Sequence, residues 1–361
     1  MKSKRFLVLL AVAMAALTVM SGCSTSDKSA EAPSSGTTAE HSSSESESSS
    51  DETSKEELAF YDKTMYIGQS SWIGYAPLFI AVEKGFFEDH GSDIQIHTIQ
   101  SAADRRAALI SGEIQAMSST VDTHVMSNAA GVDLVQILAL DTSSGGDGLI
   151  AKKEFNSLED LKGKTVALDT SGGASYFWFY YLLQEEGLKF SDFNVQSMGA
   201  GDAGTAFVAG QVDAAVTWQP WLTNATNTDF GKVLISSSET PGIIMDTIGV
   251  TQDFIDKYPG TVKALVAGWY DALAFIESDP DEANRIMAEA MGQDVESFAE
   301  TLPEVTFYDE AMNLEYFGTA DKPGDIFTIA QSASDLWFAE KLIDSQPDLT
   351  KYISGEFLST K

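Results

Sequence analysis

The chain has 361 residues, with 54 acidic against 22 basic side chains and a formal net charge of −32. That excess of carboxylates leaves no basic face for phosphate and excludes nucleic acid as a partner. It also argues against adsorption to anionic lipid without a separate anchor.

The N-terminus reads as an export signal, 1–23. Lys2, Lys4 and Arg5 form its positive end, and 6–20 is an apolar run of signal-peptide length, short for a membrane span. Met20-Ser21-Gly22-Cys23 then resembles a bacterial lipoprotein cleavage motif, with Cys23 as the expected lipidation site. The alternative is a small residue at an ordinary cleavage site. Cys23 is the single cysteine, so no disulfide can form within the chain. Residues 24–61 are rich in Ser and Glu with little apolar surface to offset the entropy of ordering. They are expected to be a disordered, acidic tether. The predicted location is the extracellular face of the cell membrane, lipid-anchored, on a Gram-positive-like surface or in a periplasm.

From about residue 62 the composition is globular, and some 300 residues suit two lobes rather than one domain. A strand is predicted at 65–68, then a polar aromatic loop, then a helix over 76–87. Pro77 opens that helix, Leu78, Ala81, Val82 and Phe86 form its apolar face, and Gly85 ends it. Alternation predicts a strand at 94–99, and an Ala-rich helix over 102–110 leads to Gly112-Glu113-Ile114-Gln115-Ala116 and a strand ending near Thr120. Another strand at 133–140 runs into the acidic, glycine-rich segment 141–148, with the first crossing between lobes at 149–152. The first lobe is therefore 62–151 together with 246–361, and the second is 152–245.

The second lobe opens with a Ser-capped turn at Ser157 and a strand through Leu168. A small-residue loop, 169–175, leads to a helix over 176–186. A strand at 194–198 and a helix after Gly199 follow. Gly210-Gln211-Val212-Asp213-Ala214 repeats the earlier Gly-x-x-polar-Ala pattern, so 212–216 reads as a buried strand. Pro220 is expected to open the next helix, with Trp218 and Trp221 at the junction. The strand 247–250 carries the chain back, and 251–292 is mostly helical with Trp269, Leu273 and Ile276 on one face. The rest is helix-rich.

Ligands in α/β sheets bind beyond the carboxyl ends of strands. The loops expected there (68–77, 118–124, 141–148, 169–176, 199–205 and 217–221) contain no Lys or Arg. Trp72, Tyr75, Trp218 and Trp221 are candidates for an aromatic wall; the alternative is that the tryptophans fill the core. Asp141 or Asp147 is expected to pair with a positive nitrogen of the ligand. Asp122 is a candidate with a competing role as a helix cap, Asp202 reads as a cap, and Asp169 as a turn residue. Ser70, Ser71, Thr120, Ser171 and Ser175 supply neutral hydrogen bonds. Helix N-termini in these loops suit an anion, so zwitterionic sulfonates remain compatible.

The signal and cleavage motif, Gly74-Tyr75-Ala76-Pro77-Leu78, Glu83-Lys84-Gly85-Phe86-Phe87, Ser157-Leu158-Glu159-Asp160-Leu161-Lys162-Gly163-Lys164 and Gly210-Gln211-Val212-Asp213-Ala214-Ala215 resemble ABC-importer solute-binding proteins. Those are the proteins for nitrate, sulfonates, taurine and thiamine-precursor pyrimidines, and the resemblance runs from Met65 to about Phe338. It implies an α/β, type II periplasmic-binding-protein fold. Two α/β lobes are joined by two crossing segments, with a ligand cleft between them. It also implies a small-molecule solute, delivery to an ABC permease and its ATPase, and a monomer. Cation and zwitterion binding is the first expectation, and an aliphatic sulfonate, taurine or nitrate-type anion the alternative. An enzyme is the competing class. No Gly-x-Ser-x-Gly elbow occurs, His41, His90, His97 and His124 lack metal-ligand spacing, and the cysteine-rich motif of pyrimidine-synthase relatives is missing. Catalytic residues, metal and cofactor are all expected to be none.

Overall fold

The computed structural model describes residues 58–359; the predicted signal peptide, Cys23 and the predicted tether up to residue 57 lie outside them. The end of the predicted tether belongs to the folded body. The Tyr61 N–H donates to Thr261 Oγ1 at 2.8 Å, and its ring packs on Phe254 and Tyr258. The aromatic residues at 60 and 61 supply the apolar surface that the preceding Ser/Glu stretch lacks.

The first lobe begins with β1 (Met65–Gln69), α1 (Pro77–Lys84), α2 (Phe86–Asp89), β2 (Ile94–Thr98), α3 (Ala102–Ser111), β3 (Ala116–Thr120), α4 (Val121–Ala129) and β4 (Leu134–Ser143). Gly85 ends α1 in the left-handed conformation, φ 74°, and its N–H reaches the carbonyls of Ala81 and Val82. The second lobe contains β5 (Asp147–Lys152), β6 (Thr165–Leu168), α5 (Ala174–Glu185), β7 (Asn194–Ser197), α6 (Ala200–Val208), β8 (Ala214–Trp218), α7 (Trp221–Thr226) and β9 (Gly231–Ser236). The chain returns through β10 (Met245–Thr251), followed by α8 (Gln252–Lys257), α9 (Pro259–Ser278), α10 (Pro280–Ala290), α11 (Val295–Thr301), β11 (Val305–Phe307), α12 (Glu310–Phe317) and α13 (Asp325–Ala339).

Two separate sheets result, ordered β11-β4-β10-β3-β1-β2 and β7-β6-β8-β5-β9. In each, the strands linked by helices run parallel, while the strands next to the crossings, β10 and β5, run antiparallel to their neighbours. Every residue of β3 and of β4 is buried, as expected for strands covered on both faces.

Three expectations shift. Residues 149–152 are not the crossing but the body of β5, paired with β8 and β9; the chain changes sheets between Ser143 and Asp147. The strand expected at 212–216 starts at Ala214. Asp213 is held at its entrance, its carboxylate bonded to Lys152 Nζ at 2.5 Å and the Thr165 N–H at 3.0 Å. Pro220 occupies the N-cap of α7 rather than its first position, with φ −88° and ψ 8°.

The helix α13 lies where the lobes meet. Trp337 is fully buried and stacks on Tyr176 of α5, ring centroids 5.5 Å apart. Its indole N–H donates to the Asp122 carbonyl of α4 at 3.1 Å.

Candidate functional site

A cavity of about 1040 Å³ opens between the two sheets. Residues following β1, β3, β6, β7 and β8 line it, which puts it beyond the carboxyl ends of those strands. Among the expected residues, Ser70, Ser71, Trp72, Tyr75 and Thr120 reach the wall from the first lobe, and Asp147, at the start of β5, reaches it from the second. Ser171, Ser175, Trp218 and Trp221 also reach it from the second. Asp122 and Asp141 do not line it.

The aromatic residues divide into two kinds. Trp72 and Tyr75 are 7 % and 3 % exposed. Trp72 Nε1 donates to Asp141 Oδ1 at 2.9 Å, and the Tyr75 hydroxyl donates to Asp246 Oδ1. These rings mostly cover the carboxyls behind them. Trp218 and Trp221 are half-buried, so their faces are available. Trp221 packs closely on α6 because Gly204 has no side chain; a Cβ there would run into the indole.

Asp141 is not a loop residue. It sits inside β4 with no exposure, packed against Gly74 so closely that a Cβ on Gly74 would collide with its carboxyl. Strand pairing brings a further carboxylate beside it: Asp246 of β10 faces Asp141 of β4 and Thr120 of β3. Asp246 lines the cavity and was missed because the returning strand was expected to begin at Thr247.

Neither helix-cap expectation holds. Asp122 lies within the first turn of α4, whose N-cap is Thr120, and Asp202 lies within the first turn of α6, whose N-cap is Gly199. Asp169 does tie its turn, accepting from the Ser171 N–H at 2.9 Å and from its hydroxyl at 2.6 Å.

Burial dominates the electrostatics. It pushes Asp147 up to about 7 and Asp122 up to about 6. Asp141 is pushed up to about 8, by burial first and then by the charge of Asp147. Asp246 is raised well above the carboxylate range, first by burial and then by Asp141. Burial also drives His124 down to about 4, so its ring is neutral, with Nε2 3.1 Å from the Thr247 carbonyl oxygen.

The loops contain no base, but the cavity does. Arg105 comes from α3, is 4 % exposed, and lines the wall. Its Nη1 donates to the carbonyls of Ile99 at 2.7 Å and Gln100 at 2.9 Å. The signal was available: Arg105 shares a helix face with buried Ala108 and Leu109. A cavity with no positive group, as the loops alone implied, is therefore wrong. Thr120 Oγ1 and Thr123 Oγ1 lie 2.8 Å apart on the wall, and α4, α5 and α6 all begin there. Across the lobes, Gln219 Nε2 donates to both Glu304 carboxylate oxygens at 3.1 and 2.8 Å. Among the described residues no group of three or more His, Cys, Asp or Glu could hold a metal ion, and no described helix is long and apolar enough to cross a membrane.

The model of the NMT1-like family matches residues 60–292. A Bacillus subtilis protein named for binding aliphatic sulfonates is 23% identical over 293 residues, covering 78% of this chain and 84% of its own. The crystal structure of the periplasmic aliphatic sulphonate binding protein SsuA from Escherichia coli superposes with a TM-score of 0.68 at 20% identity, over 81% of this chain and 92% of that one. The periplasmic nitrate-binding protein NrtA from Synechocystis gives 0.63 at 16% identity, over 81% and 86%. The fold is thus that of the periplasmic binding proteins.

Proposed function

The chain belongs to the NMT1-like family, and from that membership we propose that it is the substrate-binding component of an ABC importer. It captures a small polar nitrogen- or sulfur-containing organic solute between its lobes and hands it to a membrane permease driven by an ATPase. It works as a monomer and without catalysis. The observation that carries this reading is the cavity at the strand ends, with half-buried Trp218 and Trp221 on one side and the Asp147 and Asp246 carboxyls on its wall.

The solute is cationic or zwitterionic. Buried carboxylates are stabilised by a positive nitrogen, and indole faces favour the same charge. Arg105 and the N-termini of α4, α5 and α6 line the same cavity and favour an anionic group, so the cavity offers partners to both charges of a zwitterion. Those helix ends also favour the second reading, a sulfonate or nitrate-type anion, the classes for which the relatives are named.

A thermal-shift panel on the full-length protein tests the function: taurine, ethanolamine, isethionate and nitrate. A ligand at 100 times its Kd adds ~2.7 kcal/mol of stability. Trp218→Ala should abolish that shift while leaving the unliganded protein near wild-type stability. A loss of ~3–5 kcal/mol without ligand would instead place the ring in the core. Chemical turnover of any panel member would overturn the non-catalytic reading.

Cys23 carries a lipid that holds the protein at the extracellular face of the membrane. Cys23→Ala should move the protein from the membrane to the soluble fraction with its melting temperature unchanged; retention of the variant on membranes would refute the anchor.

A further inference from the structure

We propose that Asp147 and Asp246, backed by Asp141, form the receptor for a ligand ammonium group, and that its arrival expels to solvent a proton that the carboxyls otherwise hold. The proposal rests on the importer reading and specifies what one end of the cavity recognises.

Strand register is the first support. Asp246 pairs across from Asp141 on one side and Thr120 on the other, in the middle of the sheet. Asp147 stands at the first position of β5, where the chain has just crossed to the other sheet. The carboxyls of Asp246 and Asp147 thus come from opposite sheets, both line the cavity, and the charge of Asp147 acts on Asp246.

The groups facing them are few. Tyr75 donates to Asp246 from the turn before α1. Asp122 acts on Asp246 from α4, Asp141 from β4, and Tyr316 faces it from α12. Arg105 is the cation among these groups, and its Nη1 is engaged by the carbonyls of Ile99 and Gln100. Several carboxyls at close quarters with one guanidinium cannot all ionise. Unused hydrogen-bonding capacity is the second support. Asp141 Oδ2 and, on the cavity wall, Ser175 Oγ are buried without a hydrogen-bond partner among the described residues.

An ammonium group entering here replaces the proton. The carboxyl O–H bond breaks, the proton passes to the buffer, and the resulting carboxylate accepts an N–H from the ligand. The charge of the site is unchanged and no electron is transferred. Burial, which holds Asp147 near 7, puts this exchange within the physiological range.

The experiment uses the full chain with taurine, ethanolamine and isethionate, which differ in whether they carry the ammonium, the sulfonate or both. Kd is measured by calorimetry from pH 6.0 to 7.5, where the charges of all three probes are constant. Ethanolamine and taurine should tighten with rising pH, approaching ~10-fold per unit for one proton released. Their heats should depend on the ionisation enthalpy of the buffer, whereas isethionate should gain nothing. Asp147→Asn should weaken the ammonium probes and flatten their pH profile. Asp246→Asn should do the same, and Tyr75→Phe serves if that variant fails to fold, since it changes the partner of Asp246 and should shift the midpoint of the profile. Ammonium binding with a flat pH profile overturns proton release. Isethionate binding without either ammonium probe overturns the receptor while the importer reading stands. No binding by any probe overturns the receptor together with the cationic or zwitterionic class.

Discussion

Raising the pH from 6.5 to 8.5 should destabilise the unliganded protein by about 2–3 kcal/mol through Asp147 and Asp141 alone, at 1.36 kcal/mol per proton per unit, and by more once Asp246 is included. The cause lies in the buried carboxyls on the cavity wall, Asp147 and Asp246, and in Asp141 behind it. Burial holds Asp147 near 7 and Asp141 near 8, and raises Asp246 well above the ordinary carboxylate range. Unfolding returns each to the ordinary carboxylate range, far below this window. The native state therefore binds protons that the unfolded chain has already released, and stability falls as pH rises through the native values. The window has physical edges. Below it, His124 acts in the opposite sense: its native ring is held near 4, so the unfolded imidazole binds a proton that the native one refuses, and acid weakens the fold. Above it, buried Tyr75 and Tyr316 stay protonated in the native state while ordinary tyrosines begin to ionise. Urea titrations at half-unit intervals measure the slope, and Asp141→Asn should reduce it. A flat or rising profile would mean that these carboxyls are already ionised and compensated at pH 6.5.

Trp337→Ala should cost about 3–5 kcal/mol, the range for a fully buried aromatic truncated to Ala. Trp337 has no exposure, stacks on Tyr176 at 5.5 Å, and meets Phe177 at 6.1 Å. Its indole N–H also holds the Asp122 carbonyl at 3.1 Å. Tyr176 belongs to α5, whose first turn reaches the cavity, and Asp122 belongs to α4, which starts at the opposite wall. One side chain thus fixes two helices from different lobes, and its loss should weaken solute binding as well as the fold. Trp337→Phe retains most of the apolar surface and gives up the hydrogen bond, worth about 1 kcal/mol. Chemical denaturation of the two variants separates these contributions, and a cost below about 1 kcal/mol for Trp337→Ala would show that the ring does not belong to the core.

What the amino-acid order determined alone is local. Pro77 and Gly85 bracket α1 because one has no N–H to satisfy at a helix start and the other tolerates positive φ at a helix end. The short run of small and β-branched residues at 212–216 identified a strand covered on both faces, and β8 is buried from Ala214 to Thr217. The Gly-x-x-polar-Ala repeat and the motifs around Pro77 and Ser157 were enough to reveal two lobes and the family resemblance. The polar and aromatic residues at the strand-to-helix junctions were legible because junctions are read from neighbouring residues.

Tertiary structure decided how those residues face one another. Asp141 was visible as an acid near a glycine-rich turn, but only pairing with β10 shows that it lies inside the sheet beside Asp246. A three-residue difference in where a strand ends, 140 expected against Ser143 observed, separates a loop carboxylate from a buried one, and local composition does not fix that boundary. Arg105 was overlooked because basic residues were sought in loops, while the cavity takes it from the face of α3. Trp72 and Trp218 both reach the cavity and look alike in the chain, yet Trp72 is buried over a carboxyl and Trp218 is half-buried. Periodicity reports which face of an element turns inward, a property of residues a few positions apart. The partners on that face come from strands and helices a hundred residues away, and only the packing of the two sheets brings them together.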